Sequence, residues 1–216
     1  HLLKKNKIDV LMGTARIISN NSIEITTKNN SSKIISANNI VIATGARPKL
    51  PSQFKVNNEQ VISYQTAILQ EYLPKSIAII GGGSIGVEFA TIWNSYGSKV
   101  TIIETMNHIL PNEDTEISKE LTKSLTKSGI DILTNATVED INYNKHNVSV
   151  TYSIQETLQS INAEQVLVAI GFIPNIEGLD LKTIGITTSK NGFININDDM
   201  STNIENIYAI GDVTGK

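Results

Sequence analysis

The spacing of apolar positions changes several times along the chain, and each change marks an element. Strand-like alternation at residues 15–18, 22–26 and 33–36, with Asn- and Ser-rich breaks between, predicts a small antiparallel meander. Residues 39–43 form a continuous apolar run, the mark of a strand buried on both faces, and it ends at the Thr44-Gly45 turn before Pro48 and Pro51 force a loop. Helical spacing at Ala67, Ile68 and Tyr72 predicts a helix over 63–72, stopped by Pro74. A second apolar run at 77–80, a helical pattern at 87–93 and a strand at 99–104 follow. Asp114 then caps a helix over 115–128 that places Ile117, Leu121 and Leu125 on one face and stops at Gly129. Residues 130–133 read as the next parallel strand, 138–143 and 147–152 as a hairpin around Asn144-Lys145-His146, and 164–170 as another buried strand.

The two ends are less regular. Residues 1–7 resemble the tail of a helix running into a short strand at 8–12, without the start signals of an independent domain, so the natural chain is expected to begin earlier. Near the other end, Phe172-Ile173-Pro174-Asn175 reads as a turn, 184–186 and 193–196 as short strands, and 206–212 as a strand closing on Gly211-Asp212. An Asp at the carboxyl end of a parallel strand is where ligands bind in open α/β sheets, and it is equally a residue that caps a turn. The order of elements defines an α/β chain with a Rossmann-like unit and small antiparallel sheets.

The most informative stretch lies between the strands at 77–80 and 99–104. Gly81-Gly82-Gly83-Ser84-Ile85-Gly86 follows a buried strand and opens a helix, and Glu104 closes the next strand at the usual distance of about 20 residues. In this fingerprint Gly81 permits the tight turn, Gly83 lets backbone approach a pyrophosphate, and Gly86 lets the helix pack closely on the strand. The helix start offers amide hydrogens and a positive dipole end to two phosphates. Glu104 is suited to an adenosine ribose 2′-hydroxyl, and it repels a 2′-phosphate that nothing in Thr105-Met106-Asn107-His108 attracts. The pattern therefore predicts NAD rather than NADP. The alternative is a glycine turn that only packs helix on strand.

Composition narrows the classes. The 216 residues are 40% hydrophobic and 18% charged, enough for one large or two modest domains. A formal charge of −3 with scattered basic residues speaks against a nucleic acid partner. Apolar runs fall well short of the ~20 residues that cross a bilayer and no signal-peptide pattern opens the chain, so a soluble, cytoplasmic protein without membrane partners is expected. There is no cysteine, which removes disulfides and thiolate metal sites from these residues. His1, His108 and His146 are far apart in sequence, and no metal site is expected.

Three motifs in this order and spacing, Val41-Ile42-Ala43-Thr44-Gly45, Gly81 to Glu88 with Glu104, and Tyr208-Ala209-Ile210-Gly211-Asp212, resemble those of the flavin-linked pyridine nucleotide-disulfide oxidoreductases. Ile109-Leu110-Pro111 with Asp114, and Val168-Ala169-Ile170-Gly171 with Pro174-Asn175, match further landmarks. The resemblance implies an NAD-binding domain (73–171) inserted into an FAD-binding domain (1–72 and 172–216). It implies that Gly81, Gly82, Gly83, Ser84, Ile85, Gly86, Val87 and Glu88 wrap the NAD, that Glu104 holds its ribose, that Val138 packs on the adenine and that Gly171 lies near the nicotinamide. Ala15, Thr44, Gly45 and Ala46 would line the FAD, Asp212 would bond its ribityl or pyrophosphate region, and Glu88 would be aimed at the flavin and nicotinamide.

Glu104 points, within that family, to NAD-linked members that oxidise dihydrolipoamide, rather than to those that reduce glutathione or mercuric ion, which generally use NADP. Such members are homodimers that work with the lipoyl domains and acyltransferase core of 2-oxoacid dehydrogenase complexes. The chain departs from the family in having Phe172 where Arg is frequent and Ser84 where a larger residue shields the nicotinamide pocket. The first FAD fingerprint, the redox-active cysteine pair and the C-terminal dimer domain with its His-Glu pair are missing. These residues are expected to be an inactive fragment of a larger enzyme, colourless in isolation. Another NAD-linked disulfide reductase or transhydrogenase, or a non-catalytic nucleotide-binding module, remains the alternative.

Overall fold

The computed structural model describes residues 1–144 and 147–216, so Lys145 and His146, where a turn is expected, lie outside the described residues. The chain forms two compact units, one from His1–Arg47 with Ile173–Lys216 and one from Pro48–Phe172.

The first half of the outer unit opens with helix α1 (Leu2–Lys5), followed by the expected meander of β1 (Thr14–Ser19), β2 (Ser22–Thr26) and β3 (Ser32–Ser36). All its pairings are antiparallel, with a bulge between Ile17 and Ser19. Residues 8–12 are not a strand. Ile8, Val10, Leu11 and Met12 are exposed, and without a partner strand their apolar pattern has nothing to pair with. β4 (Ile40–Ile42) follows, then β5 (Ala46–Pro48).

The central unit is built on a parallel sheet. Its elements are β6 (Val61–Ser63), α2 (Tyr64–Ala67), β7 (Ser76–Ile80), α3 (Ser84–Ser95), β8 (Lys99–Ile103), α4 (Thr115–Lys127) and β9 (Asp131–Leu133). Then come β10 (Thr137–Tyr143), β11 (Val148–Ile154), β12 (Thr157–Ala163) and β13 (Gln165–Val168). The sheet order is β6-β13-β7-β8-β9 with every pairing parallel, while β10-β11-β12 form a separate antiparallel sheet. The continuous apolar run of β7 is explained by its two covered faces. Ile77 and Ile79 join a core with Val87, Ala90 and Trp93 of α3, whereas Ala78 and Ile80 join a core with Ile141, Val148 and Val150 of the antiparallel sheet.

Several details of the central unit differ from expectation. The helix expected over 63–72 is only the single turn α2, because Val61 and Ile62 are drawn into a parallel pairing with β13, and Ile68 and Leu69 beyond the turn are exposed. Residues 48–72 pack with the central unit through the same pairing. On α4 the buried positions are Ser118 and Leu125, and Ile117 faces outward at 61% exposure. The hairpin of β10 and β11 gains a third strand, β12, whose mostly exposed residues gave no alternation to read.

The chain continues through β14 (Phe172–Pro174), which pairs with β5, so the expected turn at 172–175 is a strand. In the outer unit β15 (Ile207–Ala209) lies parallel to β4, with Ile207 opposite Ile40 and Ala209 opposite Ile42. Residues 184–186 and 193–196 form no strands. They are held by the bridge between Thr188 and Ile194 and by backbone hydrogen bonds such as Ile194 N–H to Val213 O and Ile186 N–H to Leu181 O, and contribute Ile186 and Ile194 to a core with Ile17, Ile40, Ile42 and Ile207. Among the described residues, no helix is long and apolar enough to cross a membrane.

Candidate functional site

The glycine turn sits where three strands of the central sheet end. Gly81 N–H donates to the carbonyl of Ile103 at 2.9 Å, tying the turn to the end of β8, and its φ of +104° is open to glycine alone at little cost. A Cβ there would stand 2.4 Å from the carbonyl oxygen of Ala169, just past the end of β13. Gly86 is equally constrained from the helix side, since its Cβ would lie 2.0 Å from the carbonyl oxygen of Gly81. Helix and turn therefore meet backbone to backbone. At Gly83, the residue capping α3, an added Cβ would meet nothing within 4 Å, so this position opens onto free space.

That space is a cleft of about 460 Å³, lined by Gly81, Gly83, Ser84 and Ile85 of the turn and α3 start, and by Glu104, Thr105 and Met106 beyond β8. Pro48, Tyr64, Ile80, Ile103, Pro111, Asn112 and Val168 to Phe172 complete its walls. The first amides of α3 have no acceptor within their own helix, and their dipole end is positive. Among the described residues, the only charged one lining the cleft is Glu104. A diphosphate can meet the helix start, and a hydroxyl-bearing sugar can meet the acid. A second phosphate near Glu104 would find a carboxylate and no cation.

Glu104 is buried, at 8% exposure, and its carboxylate is already engaged. Oε2 accepts from Gly82 N–H at 2.6 Å and Oε1 from Met106 N–H at 2.7 Å. Each oxygen retains a lone pair for a further donor.

The structure gathers most of the expected residues of the central unit. Gly81, Gly83, Ser84, Ile85, Glu104 and Gly171 line the cleft, and Gly82 and Gly86 shape it from behind. Val87 is buried against the sheet. Glu88 is exposed on α3 and is not among the lining residues. Val138 is buried in the core that includes Ile80, Ile103 and Val168, which themselves line the cleft, so it supports the wall rather than forming it. Tyr64, Met106 and Asn112 had not been singled out. Tyr64 and Met106 follow the carboxyl ends of β6 and β8, a signal that would have found them. Tyr64 meets Phe172 edge to face, with ring centroids 5.8 Å apart.

In the outer unit, the parallel pair β4 and β15 brings two motifs to the same end. Thr44, Gly45 and Ala46 follow β4, while Asp212 lies in the turn Gly211–Thr214 just after β15. Asn175 fixes the first of these, with its Nδ2 donating to Thr44 O and its backbone N–H to Gly45 O, both at 3.0 Å. Asp212 and Thr44 are exposed, as is Ala15 on β1.

A larger hollow, of about 930 Å³, opens at the amino ends of β6 and β13, lined by Glu59, Tyr72, Glu164 and Gln165 among others. Burial raises the pKa of the Tyr72 hydroxyl above its ordinary value, with the charges of Glu164 and Glu59 adding to the effect. Size does not make this hollow the better candidate, because ligands of open α/β sheets lie beyond the carboxyl ends of the strands, where the smaller cleft is. Among the described residues, no cluster of His, Cys, Asp or Glu could hold a metal ion.

A parallel sheet with a glycine turn, a helix start and a strand-end acid around one cleft has the architecture of a Rossmann-type unit. The chain belongs to the pyridine nucleotide-disulphide oxidoreductase family, whose profile matches residues 1–216. It is 41% identical over 219 residues to the dihydrolipoyl dehydrogenase of Mycobacterium leprae (strain TN), covering 100% of this chain and 46% of that protein. To the dihydrolipoyl dehydrogenase of Bacillus subtilis (strain 168) it is 38% identical over 225 residues, covering 100% and 47%. Among solved structures it resembles the Cu(II) complex of the HOCl-induced flavoprotein disulfide reductase RclA from Escherichia coli, with a TM-score of 0.83, 33% identity and coverage of 97% and 46%. It also resembles LpdA from Mycobacterium tuberculosis, with a TM-score of 0.88, 25% identity and coverage of 99% and 47%. The chain thus spans about half the length of the relatives it matches.

Proposed function

We propose that the chain is the nucleotide-binding middle of a flavin-dependent dihydrolipoyl dehydrogenase, a homodimeric, cytoplasmic enzyme that oxidises protein-bound dihydrolipoamide and reduces NAD⁺. The observation that carries the reading is the cleft in which the α3 amides and the Glu104 carboxylate face one ligand-sized space. The central unit is the NAD domain, and the two outer segments are parts of the FAD domain. Gly81 to Ile85 receive the pyrophosphate, Glu104 the adenosine ribose, and Gly171 with Phe172 the nicotinamide end. The residues fit FAD in the outer unit through the paired strand ends, where Thr44, Gly45, Ala46 and Asp212 would hold it with Ala15 nearby. When bound, the two cofactors supply the electron and hydride chemistry, and this chain's residues bind, orient and keep water from them. The electron donors would be lipoyl domains carried by the acyltransferase core of 2-oxoacid dehydrogenase complexes.

A second reading, an NAD-linked reductase of another disulfide, is favoured by the 33% identity to the E. coli flavoprotein disulfide reductase. The test is a fluorescence titration of the chain with NADH and NADPH. Preference for NADH supports the proposal, and equal affinity removes the assignment of Glu104. Assaying the full-length protein with dihydrolipoamide, lipoyl domain and other disulfides then separates the two enzymatic readings.

A further inference from the structure

The buried carboxylate of Glu104 is bonded into the fold through both of its oxygens. Its Oε2 takes the Gly82 amide at 2.6 Å and its Oε1 the Met106 amide at 2.7 Å. These lengths fall at or below the short end of the range for hydrogen bonds to an ionised acceptor, which are about twice as strong as neutral ones. The backbone of Glu104 is also tied, its N–H donating to Leu133 O at 2.8 Å and its carbonyl accepting from Ala136 N–H at 2.9 Å. The glycine turn is gripped from its other side as well, because Gly82 O accepts from Leu110 N–H at 2.7 Å. A side chain at position 82 would collide with this arrangement, since its Cβ would stand 3.3 Å from Oε2 of Glu104 and 2.9 Å from Ile109.

We infer that Glu104 is a positioning residue of the glycine turn: it clasps the Gly82 and Met106 amides into the shape that receives a pyrophosphate, so binding of either dinucleotide depends on it. The inference rests on the dinucleotide reading of the cleft and adds a duty distinct from ribose recognition. A carboxylate used only for the sugar could be removed with a loss of NADH affinity and a gain for NADPH. A clasp cannot. Without it the turn samples other shapes, and affinity falls by the fraction of time it remains competent, about tenfold for a turn correctly shaped one-tenth of the time. Removing the acid therefore lowers affinity for NADPH as well as for NADH, and the preference shrinks by loss of NADH rather than by gain of NADPH.

The experiment compares the chain with Glu104→Ala and Glu104→Gln. Amide hydrogen exchange is read at Gly82 and Met106 without nucleotide, and NADH and NADPH titrations follow. Exchange at both amides should quicken by at least about tenfold in Glu104→Ala, without matching change in β7 or β11. In Glu104→Gln one of the two amides must face an NH₂ group, so only one should quicken. Both nucleotides should bind Glu104→Ala at least about tenfold more weakly. If Glu104→Ala does not fold, the isosteric Gln variant and the wild-type spectrum decide, since the Gly82 and Met106 amide protons should resonate downfield and be among the best protected in the turn. Unchanged exchange at both amides, or tighter NADPH binding by Glu104→Ala, overturns the inference. Failure of the wild-type chain to bind either nucleotide would instead refute the dinucleotide reading, and the exchange data would still report on the clasp.

Discussion

Gly83 and Gly86, three residues apart, make opposite demands, and substituting each by alanine separates packing from ligand approach. At Gly86 the new methyl would sit 2.0 Å from the carbonyl oxygen of Gly81 and 3.3 Å from Ile79 Cγ2. Neither neighbour can turn aside, because one is backbone and the other is locked in the core. Relief requires α3 to lift off the turn by roughly 1 Å, a displacement able to cost about 10²-fold where groups must be aligned. Overpacking of this kind costs about 1–3 kcal/mol, and the contact with backbone puts Gly86→Ala at the upper end. The better helix propensity of alanine returns about 1 kcal/mol, leaving a net loss near 2 kcal/mol. At Gly83 the backbone is ordinary (φ −71°) and the methyl meets nothing, so Gly83→Ala should cost under about 1 kcal/mol as a changed N-cap. It nevertheless places a methyl in the space assigned to the pyrophosphate. Urea unfolding and NADH titration of both variants give the comparison. The expected result is a lower midpoint with weakened binding for Gly86→Ala, and a near-native midpoint with weakened binding for Gly83→Ala. A Gly86→Ala protein as stable as wild type would refute the packing argument, and native NADH affinity in Gly83→Ala would refute the placement of the pyrophosphate.

Other outcomes are expected from the same geometry. Leu167 is fully buried in β13 between β6 and β7, and Leu167→Ala should lower stability by about 2–5 kcal/mol in urea unfolding. Asp114 accepts from the Glu116 amide at 2.8 Å, so Asp114→Ala should cost about 1 kcal/mol while leaving nucleotide affinity unchanged. In the outer unit the Arg47 guanidinium hydrogen-bonds Glu177 and holds its carboxyl below the usual carboxylate range. Because the folded value is the lower one, the stabilisation is complete above the unfolded value and is lost as pH falls through the folded one. Glu177→Gln should flatten the acid limb of a thermal-shift profile slightly, and high salt should erase the difference, since both groups are largely solvated.

The meander, the glycine turn and the buried strands were legible because each is specified by neighbours in sequence: alternation for β1 to β3, glycines at fixed offsets for the turn, and unbroken apolar runs for β7 and β13. What escaped reading depends on distant partners. β6 is only Val61–Ser63, and it is a strand because β13, a hundred residues later, offers a ladder. Ile117 fits an apolar stripe, yet Ser118 takes the buried place, its hydroxyl donating to Leu110 O at 3.3 Å. Residues 184–196 carry strand-like composition without an edge to join, so they supply core side chains from loops. At the cleft, Glu104 was legible as a ligand-facing acid, while its bonds to Gly82 and Met106 were not, because side-chain reach to backbone follows from the closed turn. Tyr64 was hidden by the unread strand before it.

The late arrival of β13 also bears on synthesis. It occupies the slot between β6 and β7, so until Val168 has left the ribosome residues 61–63 have no ladder to join and that edge of β7 stands unpaired. Such an opening is a place for chaperones to hold and for foreign strands to invade. It also makes the chain divisible: a piece ending before residue 164 and a peptide bearing β13 should reassemble on mixing, with the peptide acting as the keystone.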